Sequence, residues 1–306
     1  MLAATPALAA EYPLGVGQMA VGGVGVYVTH AGDVLPDVAR TNDLGFVQLM
    51  AANPGVDPWL PGTRKRITLP TRYILPDAPH NGIVVNLAEW RLFYFPPAGG
   101  RVETYPIGIG AIGDTTPLGI TSIVRKEAAP TWYPPPSIRR TEPDLPVAIP
   151  PGPDNPLGAF ALHLGWPDYL IHGTSKPDGV GRNVSHGCIR LYPEDIERLF
   201  HEVRVGTPVR VVRQAVEAAW IGDILFVEVH PSKSQAEEID TSAAVTPEIP
   251  RDLVARVSAT AGEHLSLVDW DTVRRAGLQR TGVPVAVARL PPPETAMSDT
   301  AGGLRQ

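Results

Sequence analysis

The chain holds a single cysteine, Cys188, within the run Ser185-His186-Gly187-Cys188-Ile189-Arg190-Leu191. A second run with chemical potential, Ile171-His172-Gly173-Thr174, lies a short way before it. With one cysteine no intrachain disulfide can form, so the thiol is either a small buried apolar group or a working nucleophile. The thiolate is the reactive species, and an unperturbed thiol titrates near pH 8.5. An imidazole that takes the thiol proton makes the pair competent for covalent catalysis. Such a base needs a third group to orient it. Gly187 lets the backbone turn sharply beside the cysteine, and the amides of Gly187 and Cys188 can then face a developing oxyanion. Arg190 follows the cysteine by two positions, so on an extended segment the two side chains share a face. Its guanidinium fork can hold a substrate carboxylate.

The remaining histidines carry less. His163 sits on an alternating stretch and reads as structural, and His30, His80, His201, His230 and His264 form no pattern. No Cys/His cluster has zinc-ligand spacing, so no metal site is expected.

These residues need a scaffold, and the chain can build one. It has 306 residues, enough for about two domains, and 43% of them are hydrophobic, enough for a real core. A net charge of −6 leaves no basic footprint for nucleic acid. No apolar run approaches the roughly 20 residues of a membrane-spanning helix. The 34 prolines and 30 glycines are spread among apolar segments, which points to short strands joined by many turns.

Residues 1–10 are small and apolar, and Ala7-Leu8-Ala9 fits a signal-peptidase cleavage pattern, so this stretch reads as the end of a secretory signal. Residues 26–70 predict strand, helix, helix, strand. Gly32-Asp33 offers the first helix an N-cap, and the second helix stops at Asn53-Pro54. From about residue 80 the texture is β: Ile83–Leu87 and Arg91–Phe95 form a hairpin turning near Ala88-Glu89. Strands follow over residues 102–109, 120–124, 160–164 and 169–172. Residues 130–156 form a long Pro-rich loop suited to be a lid or wall over a site. Pro193, Glu194 and Asp195 open a helix whose buried face carries Ile196, Leu199, Phe200 and Val203. Gly206 and Pro208 end it, and a strand follows at residues 209–212. Beyond residue 213 a strand at 224–229 and one or two helices in 251–278 are expected, with a disordered tail from about residue 291.

The run His172-Gly173-Thr174 followed by Ser185-His186-Gly187-Cys188-Ile189-Arg190 resembles the signature of the L,D-transpeptidase (YkuD-type) catalytic domain. Asn86-Leu87, Pro106-Ile107-Gly108-Ile109-Gly110, Thr116-Pro117-Leu118-Gly119 and Gly206-Thr207-Pro208-Val209 resemble further pieces of that family. The likeness covers about residues 80–213. Residues 26–70, with Gly32-Asp33, Asn53-Pro54, Pro61-Gly62 and Ile67-Thr68-Leu69-Pro70, resemble a lysin-motif (LysM) domain, although Val34 stands where that family usually has Thr or Ser. The order of the two is similar to the periplasmic Gram-negative branch.

The resemblance implies a mainly β fold: a YkuD-type β-sandwich catalytic domain (residues 80–213) with one prominent helix, preceded by a small α/β LysM-like glycan-binding domain (residues 26–70) and followed by a C-terminal extension (residues 214–306). It implies Cys188 as nucleophile, His172 as base and the Gly173 carbonyl as its orienting group. Amides of His186, Gly187 and Cys188 form the oxyanion site, and Arg190, Ser185 and Thr174 contact substrate. No cofactor is implied. The implied reaction is acyl transfer from a peptidoglycan tetrapeptide stem, at the meso-diaminopimelate–D-Ala bond, to an amine. The amine belongs to a second stem, giving a 3-3 cross-link, to a lipoprotein lysine, or to a free D-amino acid. Water in its place gives an L,D-carboxypeptidase or hydrolase. Two other readings are a non-catalytic wall-binding protein, for which Cys188 is inert, and an NlpC/P60-type peptidase, which places Cys before His in the chain.

Overall fold

The computed structural model describes residues 10–111, 116–185, 187–241 and 244–292. A nine-stranded mixed sheet organises it. From edge to edge the strands are Ala10–Pro13, Arg101–Pro106, Arg91–Phe95, Gly82–Asn86, Pro208–Val212, Gly119–Ala128, Phe160–Leu164, Leu170–His172 and Ile189–Arg190. Pro208–Val212 pairs parallel with Gly82–Asn86, and Ile189–Arg190 pairs parallel with Leu170–His172. The Gly82–Asn86 and Arg91–Phe95 strands are buried at every position. Their side chains alternate between two apolar clusters: Ile83, Val85, Leu92 and Tyr94 on one face, Val84, Phe93 and Phe95 on the other. A sheet covered on both faces carries the unbroken apolar runs seen in these strands. The fold is mainly β, with the helix Pro193–Glu202 packed by Ile196 and Leu199 into the larger cluster.

Residues 26–70 fold as Gly25–Val28, a helix Leu35–Thr41, a helix Phe46–Ala51 and Arg66–Leu69, with the two strands antiparallel. The expected Asp33 cap is absent. The helix starts after Val34, whose side chain caps nothing, and Asp33 Oδ2 accepts from the Tyr27 hydroxyl (2.8 Å) and the His30 amide (2.7 Å). Pro36 in the first turn removes one N–H that would otherwise need a cap. The unit shares its core with the sheet: Leu35, Val38, Leu44, Phe46 and Leu49 belong to the same cluster as Ile83, Trp90 and Ile107. A segment this small cannot bury its apolar face alone. Buried Arg91 reinforces the junction, donating to the Asp43 carbonyl (2.7 Å) and to Gln48 Oε1 (3.1 Å).

Of residues 1–10, Ala10 opens the edge strand and pairs with Thr104. Residues 1–9 and the tail from 293 lie outside the described residues. The C-terminal extension, whose form the sequence left open, is an α/β module. It has a three-stranded sheet (Val216–Ile221, Ile224–Val229, Val285–Arg289), the helices Leu253–Ala261 and Trp270–Gln279, and a core of its own.

Candidate active site

Strand register brings the predicted residues together. Glu127 pairs with Ala161, Ala161 with His172, and His172 with Arg190, so these four lie in one row across four strands. Register partners share a face. On the opposite face Lys126 lies over the Phe200 ring and Phe160 packs on Phe200, which leaves the row facing a pocket. That pocket, of about 730 Å³, is lined by His172, Ser185, Cys188 and Arg190 among others. The Pro-rich loop supplies one wall: Trp132 pairs with Ile149, a short helix Pro136–Thr141 follows Pro135, and Trp132, Tyr133 and Ile138 line the pocket.

His172 is 3% exposed. Its Nδ1 lies 2.6 Å from the Gly173 carbonyl. A carbonyl can only accept, so Nδ1 carries the proton and Nε2 keeps its lone pair. Burial first, then the Arg190 charge, lower the pKa of this imidazole to about 3, against the pull of the Gly173 carbonyl. It is therefore neutral at neutral pH and able to accept a proton. Gly173 is required for packing as well, since a Cβ there would meet Ile196 Cγ2 at 2.9 Å.

Cys188 is half-buried, walled in by the pocket, and its Sγ donates to the Asp168 carbonyl at 3.5 Å. Burial pushes the thiol up, with Leu170 and Arg190 opposing. Cys188 and His172 line one pocket, and a protonated thiol with a neutral imidazole is a pair in which the proton can move as the thiol attacks, without a standing ion pair. Arg190 is fixed through its backbone, which exchanges two hydrogen bonds with Gly108 (2.8 and 2.9 Å). Its buried Nε has no hydrogen-bond partner among the described residues.

A family model for the L,D-transpeptidase catalytic domain (YkuD) matches residues 80–211. Three Escherichia coli K12 proteins are each 38% identical to the chain. Probable L,D-transpeptidase YcfS is matched over 94% of this chain and 91% of its own length. Probable L,D-transpeptidase ErfK/SrfK is matched over 94% of each, and Probable L,D-transpeptidase YbiS over 91% and 92%. The chain belongs to the L,D-transpeptidase family.

Within this L,D-transpeptidase several expected contacts are engaged differently. Ser185 Oγ donates to the Cys188 carbonyl (2.6 Å) and accepts from the Gly187 amide (3.2 Å), so Ser185 braces the turn that carries Cys188. That bond engages the Gly187 N–H within the turn. Gly187 has a φ of +104°, which a side chain would resist. Its carbonyl is pinned by the Thr116 hydroxyl at 2.8 Å. His186 lies outside the described residues. Thr174 does not line the pocket: its buried hydroxyl closes its own turn with the backbone of Lys176.

Sequence reasoning missed Asn155, which is fully buried and holds the wall loop through the carbonyls of Pro130, Ile149 and Pro150. It also missed Arg125 and Glu127, and placed His163 outside the chemistry, though all three line the pocket. An acidic residue and a basic residue two apart on one strand were the available signal. Away from the pocket, ligand-type atoms of Glu89, Glu217 and His230 lie within 4.8 Å of one another, all buried. They come from distant parts of the chain, so no spacing rule could have found them.

Proposed function

We propose that this protein is a peptidoglycan L,D-transpeptidase acting through a Cys188 thioester. His172 Nε2 takes the thiol proton as Sγ attacks the carbonyl on the L-centre of diaminopimelate in a tetrapeptide stem. The tetrahedral oxyanion is held by the Cys188 amide. The bond to D-Ala breaks, and the imidazolium returns the proton to its amine. An acceptor amine then attacks the thioester, giving its proton to His172, and the thiol is regenerated as sulfur leaves. Arg190 holds a donor carboxylate throughout. The observation that carries this reading is the neutral His172, with Nδ1 committed to Gly173, in one pocket with Cys188 and Arg190.

The reading places the protein in the periplasm, acting on wall stems and strands, with a second stem or a lipoprotein lysine as amine. Glycan binding by residues 26–70 belongs to the same proposal. Support for it is Trp59, exposed at the rim of an open cleft lined by Pro54, Val56, Gln235 and Ile239, because an exposed aromatic ring is a platform for a sugar face. Trp59→Ala in the full chain should lower retention on insoluble peptidoglycan.

Intact-mass analysis after mixing enzyme with tetrapeptide donor tests the mechanism. The expected species is a covalent adduct equal to the stem minus D-Ala, absent in Cys188→Ala. A carbapenem, a strained acyl donor, should likewise add once at Cys188. Folded wild-type enzyme that forms neither adduct would sink the proposal.

A further inference from the structure

The pocket contains a charged group that the mechanism does not use. Arg125 Nη1 pairs with Glu127 Oε2 at 2.8 Å. His163 Nε2 donates to the same Oε2 at 2.9 Å, and its Nδ1 accepts from Arg125 Nη2 at 3.2 Å. Arg125 and His163 are register partners, and Glu127 stands in the row of His172 and Arg190. The guanidinium is 57% exposed and the carboxylate 32%, so both can be reached from the pocket. An isolated exposed ion pair contributes little to stability. Here a cation and an anion stand side by side in the wall of a substrate pocket, a pattern complementary to a ligand that carries the opposite pair on one centre.

We infer that Arg125 and Glu127, with His163 orienting the carboxylate, form a subsite for an amino-acid zwitterion at the far end of the donor's third side chain. The ligand's carboxylate would meet Arg125 and its ammonium Glu127. This rests on the proposed reaction, and it names which feature of the donor is read.

The spans agree. Neighbouring strands lie about 4.8 Å apart, so the backbone of Glu127, two strands from His172, is about 10 Å away. From the carbonyl that would join Cys188, diaminopimelate runs five carbon–carbon bonds of about 1.5 Å to its second amino-acid centre, a reach of roughly 6 Å. The glutamate and arginine side chains close the remainder. Arg125, Glu127, His172 and Cys188 line the same pocket, so one ligand can span them. Arg190 lies on the other side of His172, so the two carboxylate-binding groups flank the reacting bond from opposite sides.

The test uses three tetrapeptide donors that differ only in the third residue: meso-diaminopimelate, its ε-carboxamide, and 2-aminopimelate, which lacks the distal ammonium. Wild-type kcat/KM should favour the first by about tenfold to a hundredfold over each of the others. Arg125→Gln should bring the ratio to the carboxamide near one and leave the ratio to 2-aminopimelate. Glu127→Gln should do the reverse. Alkylation of Cys188 by a small neutral reagent should be unchanged in both variants. Protection of Cys188 from that reagent by the same three peptides reads binding without turnover. An enzyme that transfers nothing would overturn the proposed reaction, while its protection series would still decide the subsite. Equal loss on all three donors, or ratios that the variants do not move, would make the ion pair part of the wall and overturn the inference.

Discussion

Two histidines in this molecule are equally buried, each 3% exposed, and they are driven in opposite directions. His172 faces the Arg190 guanidinium and one carbonyl, and it is pushed down to about 3. Burial would lower His230 too, but hydrogen bonds to Glu217 and Glu228 and the charges of Glu228 and Glu89 raise it well above its usual value. Its Nε2 stands 3.1 Å from Glu217 Oε2 and 3.3 Å from Glu228 Oε1. Burial therefore does not decide what a histidine does; the sign of its neighbours does. The neutral ring is held to receive a proton. The charged ring holds carboxylates together at the junction between the catalytic sheet and the C-terminal module, where Asn86 Nδ2 also donates to Glu217 (2.8 Å) and Glu228 accepts from the Ile74 amide (2.8 Å).

The largest effect lies at the chemical end of that comparison. Cys188→Ala should lower donor turnover by at least about 10⁴-fold, the scale seen when a nucleophile is removed. Its unfolding free energy should stay within about 1 kcal/mol of wild type, because a half-buried thiol holds little of the fold. Turnover close to wild type would end the nucleophile assignment.

His230→Gln attacks the structural end. It removes the cation from a buried cluster of carboxylates, and breaking such a group costs about 3–5 kcal/mol. Urea unfolding should register that loss, while Cys188 alkylation in the folded variant stays near wild type. A loss below about 1 kcal/mol would mean that the carboxylates manage without the imidazolium, by holding protons instead. Glu89 and Glu217 already lean that way, since burial raises both and Glu217 stands at about 7.

Arg190→Lys tests the proposed donor anchor. Lysine preserves the charge and loses the fork. We expect kcat/KM for a tetrapeptide donor to fall by about tenfold to a hundredfold, the loss of one charged hydrogen bond. Alkylation by a neutral reagent does not involve the carboxylate and should change little. Equal slowing of both reactions would make Arg190 a shaper of the thiolate rather than an anchor.

The two histidines also differ in how far the sequence exposed them. His172 was legible because its chemistry is local: the Gly173 carbonyl that fixes it is the next residue, and Cys188 follows in a recognisable run. Strands with strong alternation or continuous apolar runs, such as Gly82–Asn86, and the Pro193–Glu202 helix with its proline and acids in the first turn, were legible for the same reason. His230 was not, because its partners Glu89 and Glu217 join it only after three separate segments pack. The engagement of Gly187 by Ser185 depends on turn geometry that residue types do not encode. The shared core of residues 26–70 escaped notice because apolar periodicity says that a face is buried, not what covers it.

The smallest expected effect is the one that separates the two sites by sign. His172 has a native pKa of about 3 against an ordinary 6.5, so the stability it contributes is present above pH 6.5 and is lost as pH falls toward 3. Glu217 has a native value of about 7 against 4.5, so its contribution is present below pH 4.5 and is lost as pH rises through 7. Between pH 6.5 and 5.5 each is worth about 1 kcal/mol, in opposite directions. In wild type they nearly cancel, and a flat profile there would conceal both. His172→Gln removes the acid-side loss, so its stability relative to wild type should rise by about 1 kcal/mol as pH falls across that window. Glu217→Gln removes the opposing gain, so its relative stability should fall by a similar amount. Urea unfolding at the two pH values, with all three proteins in one buffer series, measures both slopes. Slopes of the same sign in the two variants would mean that one of these buried groups carries the other protonation state, and the contrast between a ring held ready for a proton and carboxylates gathered around a charged one would fail.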